Sequence, residues 1–398
     1  MKKWRSSRLD KMGSAIFAEM ETWKEQAKMR GHDIIDLGIG SPDQPPSEAV
    51  MLTLAEAVQE ERHYGYPSSQ GSLKFREVAC QWLQHRFGIH MDAQREIVTL
   101  MGSQDGLAHL ALSITDPGDV ALVPDPGYPI YEGSLVLAGV EAYRMPLKEV
   151  NQFLPDFDAI PDAIRSRAKM MILNFPSNPV AATADRAFYE KALQFAREHE
   201  ILLVHDAAYS EMAFDGFRPM SIFELDDAYD HAVEFHSMSK SFNMAGCRIA
   251  FMVGCEPVIE ALKVVKSNID YGVFEPIQIA AAAALEADMK QPFSVGRLYE
   301  GRRNALVDGL RRIGFSLEMP KATMFVWARI PKGWTSRQIS REILLHTGVV
   351  VIPGDAFGEQ GEGYVRIALV QPEEVLHEAT ARIGTFLQGG TNSLFGLQ

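Results

Sequence analysis

Cysteine is scarce in this chain of 398 residues: Cys80, Cys247 and Cys255 are the three. An odd number without zinc-ligand spacing fits a reducing cytoplasm, and no metal site is expected. Basic charge is short as well. Lys and Arg total 39 against 52 Asp and Glu, a formal net charge of −13, which speaks against a nucleic-acid partner, since that role needs a basic face. Long hydrophobic runs are missing. The longest, around Ile277 to Leu285, is too short to span a bilayer. The start, Met1-Lys-Lys-Trp-Arg-Ser-Ser-Arg8, is basic, but no apolar stretch with a small-residue cleavage site follows it, so no signal peptide is expected. Internal repeats and low-complexity linkers are not found either.

What is present is a large core. Hydrophobic residues make up 46%, and the length suits two ordinary domains or one large α/β domain with an appendage. From Glu96 onward strands and helices alternate. The expected strands are Ile97–Met101, Val120–Val123, Glu141–Pro146, Met170–Asn174, Ile201–His205, Val233–His236 and Ile249–Val253. That alternation predicts a three-layer α/β/α fold with a mostly parallel sheet covered on both faces. Ligands bind such sheets beyond the carboxyl ends of the strands, so the residues just past each strand are the candidates.

Gly102-Ser103-Gln104 opens a helix after the first strand. A helix start presents free N–H groups that suit a phosphate, though Ser103 reads equally as an ordinary N-cap. After the second strand, two prolines bracket Tyr128 in Asp125-Pro-Gly-Tyr128-Pro-Ile-Tyr131 and hold an aromatic plate for a flat ligand. Asn174-Phe-Pro176-Ser-Asn178-Pro179 follows the fourth, with Asn178 a hydrogen-bonding candidate. Asp206, with Tyr209 three residues on, stands just after the fifth. A carboxylate at the buried end of a hydrophobic strand needs a cationic partner, from protein or ligand. Next comes Ser237-Met-Ser-Lys240-Ser-Phe-Asn-Met-Ala-Gly246-Cys-Arg248, expected as a turn between strands. A lysine amine is a good nucleophile once burial or a neighbouring cation lowers its pKa; taken alone, the same stretch reads as a polar surface loop.

The flanks are plainer. Ser14 to Arg30 has helical spacing, with Ile16, Phe17, Met20 and Trp23 on one face for packing. Ile34-Ile-Asp-Leu-Gly38-Ile-Gly40 is a short strand breaking into a turn. The glycines lack the third glycine and immediate helix of a dinucleotide fingerprint, and suit backbone close to a ligand. His63 to Gly71 is an aromatic loop containing Tyr66. Helices are expected over Ser47–Glu60, Leu73–Phe87, Pro276–Met289 and Gly296–Ile313. Strands of a smaller α+β unit are expected at Phe315–Glu318, Phe325–Arg329, Val349–Ile352 and Tyr364–Leu369, with a frayed tail from Gly389. Arg366 sits mid-strand among apolar residues, either paired on an open face or serving as a bidentate carboxylate clamp.

Taken together, Tyr66…Gly71, Gly102-Ser-Gln, Tyr128, Asn174-x-Pro-x-Asn178-Pro, Asp206-x-x-Tyr209, Ser237-x-Ser-Lys240 and Arg248 stand in the order of one family. The chain resembles the class I/II aminotransferases of fold type I, which use pyridoxal phosphate, from Asp36 to Arg366. The resemblance implies a ping-pong transfer of an amino group from an L-amino acid to a 2-oxo acid. It implies Lys240 as Schiff-base lysine and proton carrier, Asp206 as partner of the pyridine nitrogen, and Asn178 and Tyr209 as partners of the ring oxygen. It further implies Tyr128 stacked on the ring, Ser103, Gln104, Ser237 and Arg248 around the phosphate, and Arg366, with Asn178 and the Gly40 backbone, on the substrate carboxylate. Tyr66 resembles a tyrosine that reaches the neighbouring subunit's phosphate, which implies a homodimer with shared sites. The implied domains are 1–46, joining the small unit, 47–275 for the cofactor-binding unit, and 276–398 for the small one.

Two departures bear on substrate. Relatives specific for aspartate carry an arginine where this chain has Lys266-Ser-Asn-Ile-Asp270-Tyr-Gly-Val-Phe274; the stretch is more similar to alanine and LL-diaminopimelate aminotransferases. Asp270 is either a partner for a distal ammonium or a solvated loop carboxylate. Cys247 and Ala250 stand where relatives often have tryptophan and glycine. Two rivals remain at this level: a pyridoxal-phosphate β-lyase on the same scaffold, and a non-catalytic regulator, against which the acidic charge and the family match from about residue 34 both speak.

Overall fold

The computed structural model describes residues 4–12, 15–291 and 295–394, without the side chains of residues 15, 17 and 390–394. The helix expected from Ser14 runs over Ala15–Met29 and buries Ile16, Met20 and Trp23; Ser14 and the Phe17 side chain lie outside the described residues.

Seven strands form the central sheet, in spatial order Ile97–Leu100, Ala250–Gly254, Ala232–Ser237, Leu202–Asp206, Ala168–Asn174, Val120–Asp125, Glu141–Pro146. Ala250–Gly254 runs antiparallel to both neighbours, and the rest are parallel. Side chains along a strand point alternately to opposite faces. Met171, Leu173 and Leu203 therefore join one core, beneath Phe75, Trp82, Phe188 and Leu193, while Met170, Ile172 and Val204 join another, beneath Leu107, Leu110 and Leu262. Full burial of each such side chain contributes about 1.5–3 kcal/mol. Local chemistry sets the covering helices. Ser72 caps Leu73–Phe87 through the Phe75 amide, and Gly88 ends it in the left-handed region at φ 76°. Asp185 caps Arg186–Glu198 in the same way.

A second core lies under a three-stranded antiparallel sheet, Ile352–Pro353, Tyr364–Ala368 and Phe325–Arg329. Ile35–Asp36 pairs in parallel with Val349–Val350, so residues from near the N-terminus pack there. The stretch expected as a strand at Phe315–Glu318 contributes one isolated bridge, Ser316 to Arg329, because no neighbour continues the ladder. Helix Glu275–Lys290 buries Ala280, Ala281, Ala284 and Leu285 in the larger core with Phe75 and Trp82, whereas Val295–Arg312 packs into the second. The tail is not frayed at residue 389, since Glu373–Leu394 is one helix.

Parallel strands bring chemistry to one edge. Asp125, Asn174, Asp206 and Ser237 are the last residues of four of them, with Asn174 in register beside Asp206. These ends face the second core across a cleft.

Candidate active site

The cleft has a volume of about 510 Å³ and is lined by Gly40, Ser103, Gln104, Tyr128, Asn178, Asp206, Tyr209, Ser237, Lys240, Arg248 and Arg366. Of the residues that the resemblance assigns to cofactor or substrate, Tyr66 is the one absent from that wall. It is 91% exposed, its ring 5.3 Å from that of Tyr271.

Lys240 stands on a single helical turn, Met238–Ser241, capped by Ser237, whose Oγ accepts from the Ser239 amide at 3.2 Å. The turn forms because Ser237 ends a buried strand, and its hydroxyl satisfies an amide that the helix start leaves free. Nζ of Lys240 donates to the Gly40 carbonyl. Burial, with Arg248 and Arg366 nearby, pulls the ammonium down to about 8. The neutral, nucleophilic amine therefore grows in as the pH approaches 8 rather than above 10.

Asp206 accepts from the Tyr131 hydroxyl at 2.7 Å and from the Ala208 amide at 3.2 Å. Burial raises its pKa, and the Tyr131 hydrogen bond opposes that rise. No Lys or Arg ion pair to Asp206 occurs among the described residues, so this carboxylate suits a cationic atom of a ligand. Asn174, in register beside it, donates to the Asp206 carbonyl at 2.7 Å and accepts from the Asn178 amide at 2.7 Å, which fixes the loop carrying Asn178. Tyr209 is buried against Phe325, and burial raises its phenol.

Arg366 is the converse of Asp206: a cation held without an anion. It is 6% exposed. Nη2 donates to the Gly38 carbonyl at 2.6 Å and Nη1 to Asn178 Oδ1 at 2.9 Å, while Nε has no partner. The guanidinium lies 4.3 Å from the Phe325 ring centroid and 4.5 Å from that of Phe357. Burial pulls it down to about 10. Such a group gains most from a carboxylate that meets two of its N–H donors at once.

At the other end of the cleft, Gly102 caps the helix Ser103–Ile114 with φ 84°, a conformation glycine adopts freely. A Cβ there would also collide with the Arg248 guanidinium. Arg248 donates to the Ala245 carbonyl at 3.1 Å and reaches Ser239 Oγ at 3.4 Å. The helix start, Arg248 and the Ser237 turn together make an anion-binding corner. Tyr128 hangs over the cleft, its hydroxyl 3.2 Å from Gln104 Oε1 and its ring edge-on to Tyr131 at 5.9 Å.

Asp270 belongs elsewhere. It neither faces the cleft nor stands solvated, being held by Lys266 Nζ at 2.8 Å and by the Gly272 amide at 2.8 Å. The sequence reading did not single out Tyr131, Ser239, Phe325 or Phe357 for a role, although Tyr131 stood in the quoted motif. Their contacts join segments far apart in the chain, which no local pattern shows.

Comparison with known proteins fits this geometry. The profile of the family described as aminotransferase class I and II matches residues 32–383. The LL-diaminopimelate aminotransferase of Moorella thermoacetica is 45% identical over 377 residues, covering 94% of this chain and 96% of that one. That of Syntrophobacter fumaroxidans is 43% identical over 95% and 98%. A substrate-bound BacF structure from Bacillus subtilis superposes with a TM-score of 0.92 at 38% identity, covering 97% of this chain and 98% of that one. A probable N-succinyldiaminopimelate aminotransferase from Thermus thermophilus gives 0.89 at 38% identity, covering 93% and 100%.

Proposed function

The chain belongs to the class I and II aminotransferases, and from that premise we propose LL-diaminopimelate as its amino donor and assign roles to the residues of the cleft. The enzyme is a pyridoxal-phosphate-dependent transaminase acting on amino acids and 2-oxo acids. Pyridoxal phosphate fits the donor set: a dianion for the Arg248 corner, a flat ring for Tyr128, a protonated ring nitrogen for the unpaired Asp206, and an aldehyde for the Lys240 amine. Bound there, it supplies the electron sink for breaking the substrate Cα–H bond.

In our assignment, Lys240 carries the cofactor and then moves the proton released from Cα. Asp206, kept ionised by Tyr131 and by the ring cation, holds the ring nitrogen protonated. Asn178 and Tyr209 hydrogen-bond the ring oxygen, and Ser103, Gln104, Ser237 and Arg248 take the phosphate. Arg366, with Asn178 and the Gly40 backbone, grips the α-carboxylate. The observation that carries this reading is the pairing in one cleft of a lysine lowered to about 8 with a buried, carboxylate-free arginine.

For the donor, the names of the full-length relatives are the support, together with one feature of the wall. A second cleft of about 410 Å³ shares Met12, Tyr128 and Phe357 with the first and carries Lys11, Arg144, Asp355 and Glu359. Charges of both signs suit the distal amino and carboxylate groups of a diamino diacid. We also propose a cytoplasmic homodimer in which Tyr66 reaches the partner's site, and two units with helix Glu275–Lys290 assigned to the larger.

The test is a half-reaction screen that follows loss of the bound cofactor's visible band with LL-diaminopimelate, alanine, glutamate and aromatic amino acids. Diaminopimelate is expected to give the highest kcat/KM; an equal or faster reaction with another donor overturns the substrate proposal. Keto acid released in full turnover without an acceptor would point instead to a lyase.

A further inference from the structure

The helix that begins at Ser103 carries Asp105 in its first turn. A carboxylate stabilises an empty helix start, but it opposes a second anion bound at the same end. Asp105 is not alone. Its Oδ1 lies 3.3 Å from His109 Nδ1, and that same nitrogen lies 3.3 Å from Asp270 Oδ2, without the alignment of a hydrogen bond to either. Two carboxylates thus stand behind the corner assigned to the phosphate.

Lys266 lies between them. It is fully buried, with Nζ 2.8 Å from Asp270 Oδ2 and 3.7 Å from Asp105 Oδ2. Its ammonium already stands beside both carboxylates of the group Asp105, His109 and Asp270, which makes that group a poor cation site. Asp105 Oδ2 also accepts from the Met101 amide at 3.3 Å, which ties the cluster to the Met101–Gly102 turn leading into the helix. Asp105, Asp270 and Lys266 together carry one net negative charge; without Lys266 the two carboxylates carry two.

We propose that Lys266 is a positioning and charge-compensating residue for cofactor binding: it neutralises the carboxylates behind the helix start and so keeps that end attractive to the cofactor phosphate. Lys266 touches neither cofactor nor substrate. It acts through Asp105 and Asp270, and the proposal rests on the assignment of the phosphate to this corner.

The experiment compares binding of pyridoxal phosphate with binding of pyridoxal, which lacks the phosphate, to the full-length apoprotein by equilibrium dialysis. Lys266→Met is expected to weaken pyridoxal phosphate about tenfold, the scale of a charge at a partly buried helix end, and to leave pyridoxal unchanged. Lys266→Arg is expected to retain most of the preference. The double variant Lys266→Met/Asp270→Asn, which restores the charge balance, is expected to recover it, and it keeps the test decisive if Lys266→Met alone folds poorly. Equal weakening of both ligands, or no recovery in the double variant, overturns the proposal by making Lys266 a packing residue. Arg248→Gln separates the two levels. If Arg248→Gln leaves the preference for pyridoxal phosphate intact, the phosphate assignment fails; if it abolishes that preference while Lys266→Met does not, only the present proposal fails.

Discussion

The Tyr131 hydroxyl donates to Asp206 Oδ2 at 2.7 Å, and both groups are buried. This bond works against the burial that raises the Asp206 pKa. A hydrogen bond to a charged group contributes about 1.5–3 kcal/mol, so Tyr131→Phe is expected to lower kcat/KM by roughly tenfold or more. The sign of the pH effect follows. Losing a bond to the ionised form raises the carboxyl further, so the acid limb of the kcat/KM profile moves to higher pH. An unshifted limb would show that Tyr131 only packs.

Lys240 titrates around 8 because burial, Arg248 and Arg366 all disfavour its charged form. Uptake of pyridoxal phosphate by the apoprotein needs the neutral amine, so its rate is expected to rise with pH through a midpoint near 8. Removing a neighbouring cation restores part of the ordinary basicity, so Arg366→Gln is expected to move that midpoint upward. Stopped-flow absorbance across pH reads both.

Arg366→Gln is also expected to cost about 2 kcal/mol or more in kcat/KM, ~30-fold, for amino acid and 2-oxo acid alike, because both present a carboxylate. Cofactor affinity is expected to hold. Loss with only one of the two substrates would remove Arg366 from the shared carboxylate site.

Arg302, 3% exposed, forks onto Asp43 with both contacts at 2.7 Å. The pair ties the segment bearing Gly38 and Gly40 to the helix Val295–Arg312. Arg302→Met removes both contacts to Asp43, which is solvent-exposed and keeps its bond to Gln44, and is expected to destabilise the protein by about 1 kcal/mol, read by chemical denaturation. Burial alone would raise the Asp43 carboxyl, but the hydrogen bonds from Arg302 and Gln44 and the Arg302 charge together hold it below the usual carboxylate range. Its stabilisation is therefore complete above the unfolded carboxyl's pKa, near 4, and is lost as the pH falls through the lowered value. The variant lacks that acid-side loss.

Tyr66 gives a test of the dimer. Mixing Lys240→Ala and Tyr66→Phe chains is expected to give activity above the average of the two parents, since a mixed dimer rebuilds one complete site if Tyr66 acts across the interface. Strict averaging would place Tyr66 in its own subunit's site or outside both.

The sheet was legible in the sequence because buried strands announce themselves as short apolar runs; the seven were placed to within two residues at either end. The cleft was legible because most of its groups follow those runs directly. Other features are products of tertiary packing. Phe325 and Phe357 look like ordinary core aromatics until both rings are found against the Arg366 guanidinium. The Ala-rich helix Glu275–Lys290 follows the expected boundary in sequence, but its small side chains fit the larger core. Asp270 looked free because its partner, Lys266, is a residue whose full burial a polar stretch conceals.

One short stretch of backbone answers both cations of the cleft: the Gly38 carbonyl receives Arg366, and the Gly40 carbonyl receives Lys240. These carbonyls act as stand-ins for the guest. An entering carboxylate does not meet a bare guanidinium; it must outbid an oxygen already in place. A charged, two-pronged acceptor is better matched to that exchange than a neutral one, because it meets two N–H donors at once.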